Sequence, residues 1–388
     1  MSNSTTVQAS VLYGAKDLRV EQRDLPAPSP TEVQIAVSAT GLCGSDLHYY
    51  NHFRNGNIQV VEPLTLGHES AGVVTAVGSA VTDLAPGDRI ALEVGQPCET
   101  ETCEFCKSGR YNICKGMRFR SSAKSVPHAQ GTLQTRINHP ARWCHKLPEG
   151  MSLELGALAE PLSVALHAHQ RSGVQNVDGA SVLVLGAGAV GLLCAAAAKV
   201  HGAKTVLIAD ILPERVQFAV ENGFADAAFT VPLARPVTVE DKLAYAQEVT
   251  EKMKNVAVAE GTVGEVDVTF ECTGVESCMH MAIYCTKPGG KVMIIGMGTP
   301  IQTLPISTAS LKEVDLLGVF RYANSYPRAI DLLSGELQNM PDLSKLVTQR
   351  FRGLESIPVA FDMAGKVKDQ EGNLVIKVMI DTSEEAAS

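Results

Sequence analysis

The sequence predicts two domains of different class: a β-dominated, barrel-like domain and a parallel, doubly wound α/β domain. Three observations carry this. The chain has 388 residues, enough for two ordinary cores. Before about residue 155, short β-rich runs are punctuated by Pro and Gly, and helical periodicity is scarce. After it, strands and helices alternate at the spacing of βαβ units.

The elements follow in order. Val7 to Tyr13, Glu32 to Ala39, Ser70 to Val77 and Asp88 to Glu93 read as strands, separated by Pro26-Ala-Pro-Ser-Pro30 and Pro86-Gly87-Asp88. In the second half, Ser181 to Leu185 is a short apolar strand that runs into glycines, followed by Ala-rich, helix-favouring Val190 to Val200. Next come a strand at Thr205 to Ala209, a helix opened by Pro213 and running to Asn222, and a short strand near Ala227. A polar helix is expected over Val239 to Ala257, then a strand over Val266 to Glu271, a helix over Ser277 to Cys285 and a strand over Lys291 to Ile295. A last strand covers Leu374 to Ile380.

Composition narrows the function classes. Hydrophobic residues make up 45% and charged residues 19%, as in soluble globular proteins. The net charge is −9 and no run of Lys and Arg forms a polyanion-binding patch, which argues against nucleic acid and anionic membranes as partners. Met1 to Ser10 lack the basic start and apolar core of a signal peptide. Ser181 to Ala198 carries no charge, but its glycines and Lys199 belong to a strand–helix pattern rather than a membrane span. These features predict a soluble, cytoplasmic protein, in which ten cysteines serve metal binding or catalysis more readily than disulfides.

Gly186-Ala-Gly188-Ala-Val-Gly191 is a G-x-G-x-x-G run between a strand and a helix, with Asp210 at the end of the next strand. Its glycines suit a tight turn, a close approach of backbone to pyrophosphate, and close packing of helix on strand. The helix N-terminus offers N–H groups to the phosphates. Asp210 can accept from both adenosine ribose hydroxyls and repel a 2′-phosphate, which favours NAD over NADP. Arg215 keeps the alternative open, because an arginine there can accommodate that phosphate or stack on adenine.

Cys98, Cys103, Cys106 and Cys114 form C-x4-C-x2-C-x7-C within a polar segment. Four thiolates so close can surround Zn²⁺ and order a loop too poor in apolar residues to order itself, which predicts a structural zinc. Cys43, His68, Glu69 and Glu160 are scattered, and only a fold can join them. One Cys, one His and one or two carboxylates make a zinc site with an open position for water or substrate. His68 and Glu69 are adjacent, so both can ligate one ion only where the backbone is irregular; otherwise one acid sits behind the ligands.

Taken together, these residues resemble the zinc-containing medium-chain alcohol dehydrogenases, in particular their sorbitol, xylitol and arabinitol dehydrogenase branch. The resemblance runs from about Leu12 to Ile380. It rests on Gly41-Leu-Cys43-Gly-Ser45-Asp-Leu-His48, Gly67-His68-Glu69-Ser-Ala-Gly72, the cysteine lobe, Glu160-Pro-Leu-Ser163, the glycine run and Phe320-Arg321-Tyr322. It implies a GroES-like catalytic domain formed by residues 1–156 and 323–388, with a zinc lobe over 96–116, and a Rossmann domain over 157–322. It assigns a catalytic zinc to Cys43, His68 and Glu69, with Glu160 as a further ligand or held through a water at the metal. Glutamates at 69 and 160, where ethanol-type enzymes complete the site with a second cysteine, favour polyols. Ser45 and His48 are implied as a proton relay, and Tyr49, Arg321 and Tyr322, with Glu160, as contacts to substrate. Val190, Asp210, Arg215, Val319, Phe320 and Arg321 are implied at the cofactor.

The expected reaction is NAD-linked oxidation of a polyol to a ketose, with sorbitol ahead of xylitol, in a homotetramer. A dehydrogenase for threonine or butanediol and a non-catalytic NAD-binding protein are the alternatives. Two departures from the family stand out. The first cysteine gap is four residues where two is usual, and Glu93-Val94 stands where Glu-Pro is common.

Overall fold

In the computed structural model, which describes residues 4–173, 179–335 and 340–383, the chain divides into two compact units. One comprises residues 1–160, 326–334 and 343–388, the other 161–325 and 335–342. The chain thus passes into the second unit at 160/161 and out of it at 325/326, with 335–342 assigned to the second unit again, where the resemblance implies crossings at 156/157 and 322/323.

In chain order, the first stretch carries β1 (Thr5–Gly14), β2 (Asp17–Leu25), β3 (Glu32–Gly41), α1 (Gly44–His52), β4 (Glu69–Val77), β5 (Arg89–Leu92), β6 (Arg136–Pro140) and β7 (Cys144–Lys146). The middle carries α2 (Ala159–Ser172), β8 (Ser181–Leu185), α3 (Ala189–Val200), β9 (Thr205–Asp210), α4 (Pro213–Glu221), β10 (Ala227–Thr230), α5 (Val239–Lys254), β11 (Val266–Glu271), α6 (Glu276–Cys285), β12 (Thr286–Ile294) and β13 (Asp315–Gly318). The chain then returns to the first unit with α7 (Tyr326–Leu333), β14 (Val347–Arg352) and β15 (Lys377–Asp381).

The first unit is built around β3. One of its edges pairs antiparallel with β4 along its length; the other is shared, β6 taking Glu32–Ala36 and β15 taking Ala39–Gly41. The sheet runs β7-β5-β4-β3-β15-β14, with β14 and β15 parallel. Alternation along β3 sends Val33, Ile35 and Val37 inward, all fully buried. Because β15 arrives from the far end of the chain, residues near 41, 69 and 379 lie in one register, Gly41 facing Glu69 on one side and Met379 on the other.

The second unit has a six-stranded sheet in the order β10-β9-β8-β11-β12-β13, with every pairing parallel. This is the doubly wound order, and it places the switch point between β8 and β11, beside the glycine run. Val182, Leu183, Val184 and Leu185 of β8 are all buried, as a strand covered on both faces requires.

Three sequence expectations shift. The helix from Val239 stops at Lys254, because Ala257–Val258 pairs with Gly261–Thr262 in a small hairpin. The last strand starts at Lys377 instead of Leu374, whose backbone only bridges to Lys368. The strand expected from Lys291 begins earlier, at Thr286. Among the described residues no helix is long and apolar enough to cross a membrane.

Candidate active site

Cys43 stands where β3 has ended and α1 begins, as the residue capping that helix in an extended conformation. Glu69 opens β4 and His68 directly precedes it, after Gly67, whose φ of +92° supplies the irregular backbone that adjacent ligands need. One donor atom from each of Cys43, His68 and Glu69 lies within 4.8 Å of the others. Glu69 Oε2 is buried and has no hydrogen-bond partner, an orphan atom that a cation would satisfy. A Cβ at Gly41 would collide with that same oxygen, so the glycine makes its room. A thiol, an imidazole and a carboxylate so gathered fit zinc.

Two residues that the sequence reading missed hold these donors. Asp46 is fully buried; its Oδ1 lies 3.2 Å from His68 Nδ1 and also accepts from Gly67 N at 3.2 Å and Ser121 Oγ at 2.5 Å. That leaves Nε2 as the nitrogen available to a metal, the arrangement common behind ligating histidines. Burial opposes the charge on both partners of this pair. Asp46, then Cys43, nevertheless holds the His68 imidazole well above its ordinary pKa, and His68 holds Asp46 below its own. Lys377 opens β15, 4% exposed, and its Nζ donates to Glu69 Oε1 at 2.7 Å and to Leu42 O at 3.0 Å. Signals for both existed: Asp46 is an acid three residues after a helix cap, and Lys377 is the lone charge in Val375-Ile-Lys377-Val-Met-Ile380.

Glu160, in the first turn of α2, is buried but outside the three-donor cluster. Its charge acts on Lys377, where it adds to those of Glu69 and Cys43 in favouring the ammonium against burial. Ser45 is half-buried in α1, and His48 is exposed, its ring 6.1 Å from that of His52. Tyr49 is 2% exposed and its hydroxyl accepts from Ala123 N at 3.3 Å.

The four lobe cysteines also converge, each sulfur within 4.8 Å of the others. Cys98 is 3.4 Å from Cys114 and 3.9 Å from Cys106, and Cys103 is 3.8 Å from Cys114. A tetrahedron with metal–sulfur bonds of about 2.3 Å has edges of about 3.8 Å, so the set fits zinc. The longer first gap does not remove Cys98. Glu99, at φ +53°, turns the loop back and is gripped by Trp143 Nε1 at 3.0 Å and Arg142 Nη1 at 3.1 Å. The Thr100 hydroxyl, first among several hydrogen bonds, draws the Cys98 thiol down to about 6.

In the second unit, Gly186 turns at φ +98°, and a Cβ at Gly191 would collide with the Gly186 carbonyl. A Cβ at Gly188 would instead meet only Arg215 Nη1, at 3.9 Å, so that face of the loop is open for a pyrophosphate. Val190, in the first turn of α3, is half-buried. Asp210 ends β9 and accepts from Ala187 N at 2.7 Å and Leu212 N at 3.0 Å, tying it to the glycine loop. Val319 N bonds Ile294 O at the end of β12; beyond it the Arg321 guanidinium lies 4.7 Å over the Phe320 ring, and Tyr322 is buried.

Comparison with known proteins agrees with this architecture. Residues 29–149 match the alcohol dehydrogenase GroES-like domain, and residues 189–335 match the zinc-binding dehydrogenase family. Sorbitol dehydrogenase of Gallus gallus is 41% identical over 372 residues, covering 96% of this chain and 95% of its own. The chain belongs to the zinc-containing medium-chain alcohol dehydrogenases, in their polyol dehydrogenase branch. The human sorbitol dehydrogenase is 39% identical over 371 residues, 95% of this chain and 94% of its own. Among solved structures, L-idonate 5-dehydrogenase from Escherichia coli superposes with a TM-score of 0.82 at 26% identity, covering 98% of this chain and 99% of its own. The 2R,3R-butanediol dehydrogenase of Bacillus subtilis does so at 0.77 and 27%, covering 97% and 100%. The two units are thus the GroES-like and Rossmann-like domains of this family.

Proposed function

We propose that this protein oxidises a secondary hydroxyl of a sugar alcohol to a ketose with NAD⁺, sorbitol first and xylitol second. The observation that carries the reading is the gathering of Cys43, His68 and Glu69 within 4.8 Å, with a glutamate in place of a second cysteine, in a chain 41% identical to a sorbitol dehydrogenase. Zinc bound there supplies Lewis-acid polarisation of the substrate hydroxyl, and NAD⁺ supplies the hydride acceptor.

The chain's own residues do the rest. Asp46 fixes the His68 ring. Glu160, buried and acting by its charge on Lys377, is the carboxylate assigned to the substrate hydroxyl or to a water there. Ser45 and His48 on α1 form the proposed route by which the proton leaves. Tyr49, Arg321 and Tyr322 are assigned to the hydroxyls flanking the reacting carbon. Gly186, Gly188 and Gly191 take the pyrophosphate, and Asp210 takes the ribose hydroxyls; D210S is expected to weaken the preference for NAD⁺ over NADP⁺ by about tenfold. Val190, Arg215, Val319 and Phe320 complete the cofactor site. Cys98, Cys103, Cys106 and Cys114 hold the structural zinc. A homotetramer in the cytoplasm is part of this reading, checked by light scattering and cell fractionation.

The deciding experiment is initial-rate kinetics on sorbitol, xylitol, arabinitol, threonine, butanediol and ethanol with each nicotinamide cofactor. A polyol preferred with NAD⁺, lost on chelation and restored by Zn²⁺, is the expected result. Butanediol as the sole good substrate would move the protein to the reading that its likeness to the Bacillus subtilis enzyme favours. No turnover in zinc-loaded protein that still binds NADH would overturn catalysis altogether.

A further inference from the structure

The two oxygens of Glu69 live in different surroundings. Oε1 accepts from Lys377 Nζ at 2.7 Å, while Oε2 is buried, unpartnered and seated over Gly41. Lys377 is itself anchored by the Leu42 carbonyl, one residue before Cys43, so the ammonium bridges the backbone of one ligand and the carboxylate of another. Both members of the pair are almost fully enclosed, at side-chain exposures of 5% and 2%.

A carboxylate can give zinc one oxygen or two. Two would fill the position that a catalytic zinc keeps for substrate. Giving up Oε1 would also cost the buried ammonium its ion-pair partner and leave it the Leu42 carbonyl alone, which is strongly disfavoured. We propose that Lys377 is a positioning residue that confines Glu69 to coordination through Oε2 alone and thereby keeps one ligand position open at the Cys43–His68–Glu69 site. This rests on the zinc reading above. The ammonium also offsets part of the charge of Glu69, Cys43 and Glu160, the groups that act on it.

A merely structural lysine, tying β15 to β4, would change stability and leave the metal's coordination alone. The test therefore reads coordination directly. The full-length protein is loaded with Co²⁺, and visible absorption is compared between wild type, C43S, K377M and K377Q. Difference spectra cancel the four-cysteine site, which all four share. Wild type minus C43S isolates the band of the candidate active site. In K377M that band is expected to weaken by about two- to threefold as a second carboxylate oxygen raises the coordination number. With zinc, kcat/KM is expected to fall by about 10- to 100-fold, mainly through KM, while metal content stays unchanged.

K377Q keeps an N–H donor on the same side chain and is expected to hold Oε1 and keep the wild-type band, a measurement that can overturn the proposal even where K377M fails to fold. A K377M band matching wild type, or a K377Q band as weak as the one expected of K377M, overturns the inference and leaves the zinc reading intact. Absence of any band that depends on Cys43 overturns the zinc reading, and this inference with it.

Discussion

The cysteine lobe and the Cys43 cluster are both suited to zinc, yet they are built in opposite ways. The lobe draws four donors from 17 consecutive residues, with Cys98 exposed and Cys114 buried, and its sulfurs contact mainly each other and nearby backbone. The Cys43 cluster draws donors from two separated segments, His68 and Glu69 being buried, and backs each of these with a charged partner, Asp46 and Lys377. A metal in the first stands in for an apolar core the loop lacks. A metal in the second is enclosed by a scaffold that is already folded, so the scaffold can set its reactivity.

The largest expected effect separates the two. C43S should lower kcat/KM by at least about a thousandfold, since several kcal/mol of charge stabilisation go with the metal. It should remove one zinc per chain and leave the melting temperature within a few degrees, as checked by elemental analysis, kinetics and calorimetry. An active C43S would break the contrast at once. Next, D46N leaves every donor in place but weakens the hold on the His68 ring, and about 10- to 100-fold in activity or metal affinity should be lost. Competition with a chromophoric chelator measures it; an unchanged affinity and rate would mean that His68 needs no orientation.

For the lobe the expected damage is different in kind. C103S should also cost one zinc, but kcat should fall by less than about tenfold while limited proteolysis cuts within residues 97–116, where the loop has little of its own to order it. Loss of activity comparable to C43S would show that the lobe reaches the chemistry.

The smallest effect should be common to both variants, because it originates elsewhere. Burial, first of all, holds His169 at about 3 and His139 well below its ordinary range. Both are neutral in the folded protein and take up protons on unfolding below about pH 6.5. Stability is therefore full above that pH and declines as the pH falls, by at most about 1.4 kcal/mol per pH unit for each histidine. Urea unfolding at pH 7.5 and 5.5 should show the same loss in wild type, C43S and C103S, and a smaller one in H169L. A wild type equally stable at both values would refute the assignment.

The same contrast explains what the sequence disclosed. The lobe and the glycine run were legible because their parts are neighbours in the chain, and so were the two-domain architecture and most strands of the parallel sheet. The Cys43 cluster came from resemblance, since nothing in the spacing of 43 and 68 brings them together; the pairing of β3 with β4 does. Asp46 and Lys377 escaped because their importance lies in what they touch, over separations of 22 and 308 residues. The helix Ala159–Ser172 escaped for another reason: buried along most of its length, it shows little contrast between two faces.

The sharing of one edge of β3 between β6 and β15 has a consequence for how the protein is made. Glu69 emerges from the ribosome 308 residues ahead of Lys377. At about 5–20 residues per second, that carboxylate waits roughly 15 to 60 s for its counter-ion. The strand that brings the lysine also closes the register beside Gly41, so the sheet around the site stays open until that strand emerges. Metal that arrived early would meet Cys43, His68 and an unrestrained Glu69. Maturation of this site is therefore timed by delivery of β15 rather than by synthesis of the ligands.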